Sequence, residues 1–415
     1  MNQKQFATEV TVALQRAGFT TYWAGGCVRD AILRLEPKDY DVATSATPDQ
    51  VRELFGFKRT LPIGASFGVI TVVGPKSAGQ IEVATFRRDG GYSDGRRPDS
   101  VEFTDAREDA IRRDFTINGM FFDPVTEEVI DFVGGQEDLE RRVIRAIGDP
   151  DKRIEEDKLR MLRAVRFAAT YEFVLDSQTR DAIARRASEI KVVSGERIGG
   201  EVVRMLSHPT FRIAIERMQE TGLWEYILPP EFSPGLSDAA IKQAEELEIS
   251  PSNHFQFETV LAVLLNESIV AGKPNGPMLA HLQNQWRLKN DQISVVGWVA
   301  ENWQTLNRAE TLSWSAAQPA VVHQYVWPAL DVAKVLGGSA TAQQFCRETL
   351  LRPRREIDPP PLLAGMDLIE MGISPGPSFK HILQTVRDEQ LDQKLDGIDN
   401  ARKRAMEIFR SSKTS

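Results

Sequence analysis

Asp39 and Asp41 stand two residues apart in the run Lys38-Asp39-Tyr40-Asp41-Val42-Ala43. On an extended strand alternate side chains share a face, so the two carboxylates project together while Tyr40 and Val42 turn the other way. Like charges so placed repel unless a cation lies between them. Mg²⁺ takes oxygen ligands, and paired ions can clamp the attacking and leaving oxygens of a phosphoryl transfer. An exposed strand end has the same pattern, so the spacing alone leaves both readings open. Glu82, in Gln80-Ile81-Glu82-Val83-Ala84-Thr85-Phe86, falls on a second strand. It is a third carboxylate for such a site, a base on the attacking hydroxyl, or a solvent-facing strand residue.

The segment Ala24-Gly25-Gly26-Cys27-Val28-Arg29-Asp30 lies just upstream. Two glycines between a strand and a helix let the backbone approach a phosphate, and the helix start adds N–H donors and a positive dipole end. Arg29 can reach an anionic triphosphate with its forked donors. A tight strand–helix turn with Arg29 paired to Asp30 is the plainer alternative.

These residues must be positioned by a β-rich head. Short apolar or alternating runs at Thr21–Ala24, 40–43, 68–73, 81–86 and 129–133 read as strands. Helices are expected over 1–17, 28–35 and Pro48–Phe55. The head, 1–149, is then an α+β domain. From Lys152 onward long helical periodicity takes over. Pro-rich breaks at 228–235 and 352–361 divide the rest into a neck (150–228), a body (229–352) and a tail (353–415).

Composition bounds the class. The chain has 415 residues, 41% apolar and 27% charged, which excludes collagen, coiled coil and wholesale disorder. Its two cysteines, Cys27 and Cys346, make no disulfide framework, and its five histidines are scattered singly. No apolar run approaches a bilayer span, and the amphipathic N-terminus lacks a secretory pattern. A cytoplasmic protein with no membrane association and no stable protein partner is expected. The net charge is −8, yet 141–217 holds 17 Lys and Arg against 12 Asp and Glu. That asymmetry suits either an RNA-gripping surface or a solvated helical one.

With these residues in view, the head resembles the nucleotidyltransferases of the DNA polymerase β type. Within them it is similar to the bacterial class II CCA-adding enzymes (tRNA nucleotidyltransferases) and their poly(A) polymerase relatives. Carrying the likeness, in order, are Gly25-Gly26-Cys27-Val28-Arg29-Asp30 with Asp39-Tyr40-Asp41, then Ala84-Thr85-Phe86-Arg87, and Tyr92-Ser93-Asp94-Gly95-Arg96-Arg97-Pro98. Arg112-Arg113-Asp114-Phe115-Thr116-Ile117-Asn118 follows, then Glu156-Asp157-Lys158-Leu159-Arg160-Met161-Leu162-Arg163-Ala164-Val165-Arg166-Phe167, and Glu196-Arg197-Ile198-Gly199-Gly200-Glu201.

The resemblance implies a polymerase-β-type palm with a mixed sheet, followed by an all-helical neck, body and tail. It implies template-independent addition of C, C and A from CTP and ATP to the 3′ end of tRNA. Alternatives are poly(A) or A-only addition and, in a different class, a tRNA-binding protein without catalysis. Asp39 and Asp41 would hold Mg²⁺, with Glu82 as a weaker third carboxylate. Gly25, Gly26 and Arg29 would meet the triphosphate, and Arg113 or Arg112 the nucleotide. Asp157 and Arg160 would read the base, while Arg163 and Arg166 serve the triphosphate or the helix framework.

Asp157 and Arg160 are expected at i,i+3 on one helix face. A carboxylate accepts from the exocyclic amine of cytosine or adenine, and a guanidinium donates to the ring acceptors. Uracil and guanine put a carbonyl where that amine belongs. Ala65-Ser66 lack the basic residues of the poly(A) enzymes, and the 88–99 loop has the full length that the C-to-A switch needs in the family. Asn266-Glu267 stand where some relatives carry an HD hydrolase motif, so that activity is not expected.

Overall fold

The computed structural model describes residues 1–91, 100–228, 237–251, 256–270 and 275–412. Two expected features, the motif 92–98 with the tip of its loop and the breaker cluster from Pro229 to Gly235, lie outside them. The chain divides into two compact units, Met1–Pro230 with Gln285–Arg287, and the remainder.

The first unit is built on a seven-stranded mixed sheet. Its strands are β1 (Thr21–Ala24), β2 (Asp41–Thr44), β3 (Thr60–Leu61), β4 (Val69–Val73), β5 (Gln80–Thr85), β8 (Phe121–Asp123) and β9 (Glu128–Ile130). A short antiparallel ribbon pairs β6 (Arg87–Asp89) with β7 (Val101–Phe103), while the parallel pair β10 (Val143–Ile144) and β11 (Val174–Leu175) ties the end of the head to the neck. Spatial order in the large sheet is β3-β4-β5-β2-β1-β8-β9. Only β2 and β5 run parallel; the other neighbours are antiparallel.

Period-two alternation is clearest in β5, while β2 and β4 bury successive residues. In β5, Ile81, Val83 and Thr85 are buried and Gln80 and Glu82 exposed. Helix α1 (Gln3–Arg16) covers one sheet face with the stripe Phe6, Ala7, Val10 and Leu14, each side chain of which contributes on the order of 1–3 kcal/mol. Its start is closed by a capping box between Asn2 and Gln5. On the other face Ala24, Ala43, Phe86 and Phe121 pack with Ala106 and Ala110.

Boundaries shift from the sequence reading by one to three residues. Helix α2 runs Gly26–Ile32 rather than 28–35, because Arg34 adopts a left-handed backbone (φ 59°) that ends it. Strand β2 begins at Asp41, so Asp39 precedes the strand. Thr60–Leu61 and Phe121–Asp123 escaped the sequence reading. The first is two residues long, and the second is a Phe-Phe-Asp triplet too short to show a period.

The head also holds α3 (Pro48–Phe55), α4 (Ala106–Ile111) and α5 (Gly135–Glu140), and the neck helices follow them. These neck helices are α6 (Pro150–Glu156), α7 (Arg160–Tyr171), α8 (Ser177–Arg186), α9 (Gly195–Leu206) and α10 (Phe211–Glu220). Among its described residues the regular elements of the second unit are all helices. At its end Gly365–Glu370, Pro377–Leu391 and Ile398–Ser412 close around Leu368, Ile382, Val386, Ala401 and Ala405. No helix among the described residues is long and apolar enough to cross a membrane.

Candidate nucleotide-binding cleft

The turn from β1 into α2 fixes one wall. Gly25 has φ 72° and ψ −122°, a conformation that L side chains rarely adopt, and its N–H donates to the Met120 carbonyl at 3.1 Å. A Cβ at Gly25 would come within 2.8 Å of Arg113 Nη1, so both backbone and space require glycine here. One turn on, Arg29 is buried and its guanidinium is fixed on every side. Nε donates to Asp30 at 2.9 Å and Nη1 to Asn118 Oδ1, while the plane lies 4.7 Å from the Tyr171 ring centre. Tyr171 in turn donates to Asp30 at 2.9 Å.

Antiparallel pairing sets Ala24 opposite Asp41, and parallel pairing sets Asp41 beside Glu82. The turn and the carboxylates are therefore placed by adjacent strands. Asp41 is exposed as a residue, but its carboxyl lies against the cleft wall. That loss of solvent, together with the Glu82 charge and a smaller push from Asp39, raises it to about 6 against the pull of Arg113. A crowded carboxylate of this kind is relieved by a cation. Among the described residues no group of three or more His, Cys, Asp or Glu is placed to hold a metal ion. An ion that takes one or two carboxylates and completes its shell with phosphate oxygens and water would fit Asp41.

Asp109, 1% exposed, binds both expected nucleotide arginines. Arg112 Nη2 reaches Oδ1 at 2.7 Å and Arg113 Nη2 reaches Oδ2 at 3.0 Å. Arg112 also meets Asp89 of β6 at 3.5 Å, and Arg113 donates to the Asn118 carbonyl at 3.3 Å. Asp114 is the next anchor. Burial pushes its carboxyl up, but Arg163, Asn118 and the Phe115 N–H outweigh that and hold it at about 2. Arg163 Nε lies 2.9 Å from Asp114 Oδ2.

The expected single helix across Asp157 and Arg160 is not formed. Helix α6 ends at Glu156, Asp157 is extended (φ −147°, ψ 105°), and α7 starts at Arg160. Asp157 Oδ1 caps the break by accepting from the Leu159 N–H at 3.0 Å. Capping by a short carboxylate competes with continued helix, which is why local periodicity misled the sequence reading. The two side chains nevertheless line the same cavity. Arg197, from the start of α9, clasps Asp157 at 3.0 and 2.7 Å. Arg160 donates to the Arg153 carbonyl at 2.8 Å and pairs with Glu156.

The cavity these elements enclose measures about 580 Å³, within the range that small-molecule sites occupy. Nine expected residues line it: Gly25, Gly26, Arg29, Asp41, Arg112, Arg113, Asp157, Arg160 and Arg163. Asp39, Glu82 and Arg166 do not. Arg166 instead pairs with buried Glu201 and lies 4.1 Å from the Phe167 ring centre. Arg87, Asp89, Asp114, Asn118 and Arg197 also line the cavity and received no role from the sequence. Each sits in or beside one of the motif segments, which is the signal in the sequence that points to it.

Residues 21–145 match the family described as the poly A polymerase head domain, and 172–236 the one described as a probable RNA and SrmB-binding site of polymerase A. The chain is 32% identical over 405 residues to the CCA-adding enzyme of Lactobacillus helveticus, across 97% of this chain and 96% of that protein. It is 33% identical over 381 residues to the CCA-adding enzyme of Lactobacillus delbrueckii subsp. bulgaricus, across 91% of each. Among solved structures, the Bacillus stearothermophilus CCA-adding enzyme in complex with CTP aligns with a TM-score of 0.76 at 27% identity, covering 99% of this chain and 98% of that one. The Thermotoga maritima CCA-adding enzyme complexed with tRNA shares the fold, with a TM-score of 0.60 at 20% identity over 98% and 95%.

Proposed function

Since the chain belongs to the CCA-adding enzymes, we propose that it adds C, C and A, from CTP and ATP, to the 3′ end of tRNA without a template, releasing pyrophosphate. The observation that carries this reading is the meeting, in one cleft, of the diglycine turn, Asp41, a cluster of arginines and the Asp157–Arg160 pair.

Asp39 and Asp41 would hold the divalent cation, Mg²⁺ by its oxygen preference. Bound there, the ion supplies charge neutralisation on the triphosphate and a lowered pKa for the attacking hydroxyl. Glu82 acts on Asp41 through its charge from the neighbouring strand. The Gly25-Gly26 backbone, Arg29 and Arg113 receive the triphosphate, with Arg112 and Arg163 adding positive potential. Arg29 is already stacked and bonded, so little order is lost when a phosphate arrives.

Base choice falls to Asp157 and Arg160. Asp157 accepts from the exocyclic amine of cytosine or adenine, and Arg160 donates to the ring. UTP and GTP would leave Asp157 facing a carbonyl oxygen, a mismatch that costs several kcal/mol at a buried site. Arg166 belongs to the helix framework through Glu201. The tRNA is gripped through its phosphates by neck arginines. We infer the same division into head, neck, body and tail as the sequence suggests, and a tRNA substrate is consistent with a cytoplasmic protein.

Incubation with a tRNA lacking its 3′ end, Mg²⁺ and each nucleotide alone or in pairs tests the assignment. A discrete three-nucleotide extension supports it. A long A ladder would make the protein a poly(A) polymerase, and no product a non-catalytic tRNA binder.

A further inference from the structure

Arg29 and Asp30 are consecutive residues of α2, and consecutive residues of a helix do not face each other. They pair all the same. Arg29 Nε donates to Asp30 Oδ1 at 2.9 Å, and Nη2 lies 2.8 Å from the same oxygen. A pair that the helix does not itself favour needs an anchor from outside. The Tyr171 hydroxyl supplies it, donating to that same Asp30 Oδ1 at 2.9 Å from 141 residues away in the chain.

Tyr171 also bounds the guanidinium with its ring. Phe167 and Tyr171 stand at i,i+4 on α7, and their planes lie 16° apart. Arg29 sits 4.7 Å from the Tyr171 ring centre and 5.2 Å from that of Phe167. This aromatic wall limits movement out of the guanidinium plane, and its attraction grows where water is excluded. Asp30 and Asn118 limit rotation within the plane. Loss of solvent raises the Tyr171 phenol above its ordinary range, so the hydroxyl keeps the proton that it donates. A phenol brings no charge, so Asp30 is fixed without a second cation drawing it away from Arg29. Helix α7 runs Arg160–Tyr171. The helix that offers Arg160 to the cleft at its first residue thus holds Arg29 from its last.

We propose that Tyr171 is a positioning residue for triphosphate binding: through Asp30 and through its ring it keeps Arg29 aimed into the cleft beside Gly26. The proposal rests on the reading of this cleft as the CTP and ATP site, and it adds the neck residue that sets the phosphate-binding arm of the head.

Tyr171→Phe keeps the ring and removes the hydroxyl. The KM for CTP and for ATP should rise about tenfold, with kcat within about twofold of wild type. The CTP-over-UTP ratio should not change. Calorimetry with inorganic tripolyphosphate and Mg²⁺, a probe without a base, should show a weakening of the same size. Asp30→Ala should weaken tripolyphosphate as well, and adding Tyr171→Phe to it should cost nothing further. Losses that add, an unchanged affinity for tripolyphosphate, or a fall in kcat together with base preference would overturn the proposal. Should the wild type bind CTP and tripolyphosphate but extend no tRNA, the assigned activity fails while the binding comparison still decides the role of Tyr171. Should it bind neither, both fall.

Discussion

Asp157 accepts from both terminal nitrogens of Arg197, at 3.0 and 2.7 Å, across 40 residues of sequence. The carboxylate assigned to base reading is thus aimed by the first turn of another helix, α9, and not by its own. Replacing Arg197 by Ala should leave the triphosphate contacts in place and free Asp157 to turn. The expected outcome is a CTP-over-UTP ratio in kcat/KM lowered by about tenfold or more. An equal loss for every nucleotide would make Arg197 merely structural, and partial rescue by Arg197→Lys would speak for aim.

Arg160→Ala should likewise blur base choice more than it weakens triphosphate affinity. Competition among the four nucleotides, read as product sequence, measures the first. Inhibition by pyrophosphate measures the second. Continued full exclusion of UTP would move base reading elsewhere.

Asp41→Ala should lower incorporation by about a thousandfold while leaving tRNA binding near wild type. Single-turnover incorporation and a gel-shift titration separate the two. Retained turnover would refute the metal-holding role.

Asp114 sets a pH dependence whose sign can be worked out. Its folded-state value of about 2 lies below the ordinary carboxylate range. Its contribution to stability is therefore complete above pH 4 and is lost as pH falls toward 2. Arg163→Ala strands the buried carboxylate and should cost about 3–5 kcal/mol at pH 7. Acid protonates Asp114 in that variant, so the difference in Tm from wild type should narrow as pH drops. A constant gap would mean that the loss is one of packing.

Gly25→Ala meets two penalties, a positive φ costing about 1–2 kcal/mol and a Cβ 2.8 Å from Arg113 Nη1. The expected result is a raised KM for CTP and ATP alike, with base preference unchanged. At Gly26 a Cβ would stand 3.4 Å from Arg29 Nη2, and alanine there should be milder.

The head was legible where the signal is local. A continuous apolar run located β4, alternation located β5, and the glycine pair between strand and helix located the turn. Asp157 and Arg160 were found as residues but not as geometry, because a side-chain cap interrupts the helix that their spacing suggests. Arg197, Asp114 and Asn118 received no role because their partners are remote: Asp114 meets Arg163 49 residues on, and Asn118 meets Arg29 89 residues back. No periodicity carries such pairings. Polar network members look like ordinary surface charges until the fold brings them together.

The pairing of β2 with β5 sets Asp41 beside Glu82 and, one step on, Val42 beside Val83, both 1% exposed. A slip of one residue would exchange the two faces, carrying the valines to the side where Ala43 packs and the acids to the side that now holds Val42 and Val83. A wrongly zipped molecule would therefore forfeit cohesion together with chemistry. Inert look-alikes that persist and sequester tRNA are disfavoured by this arrangement, since the same mistake that disarms the protein also hands it to cellular proteases.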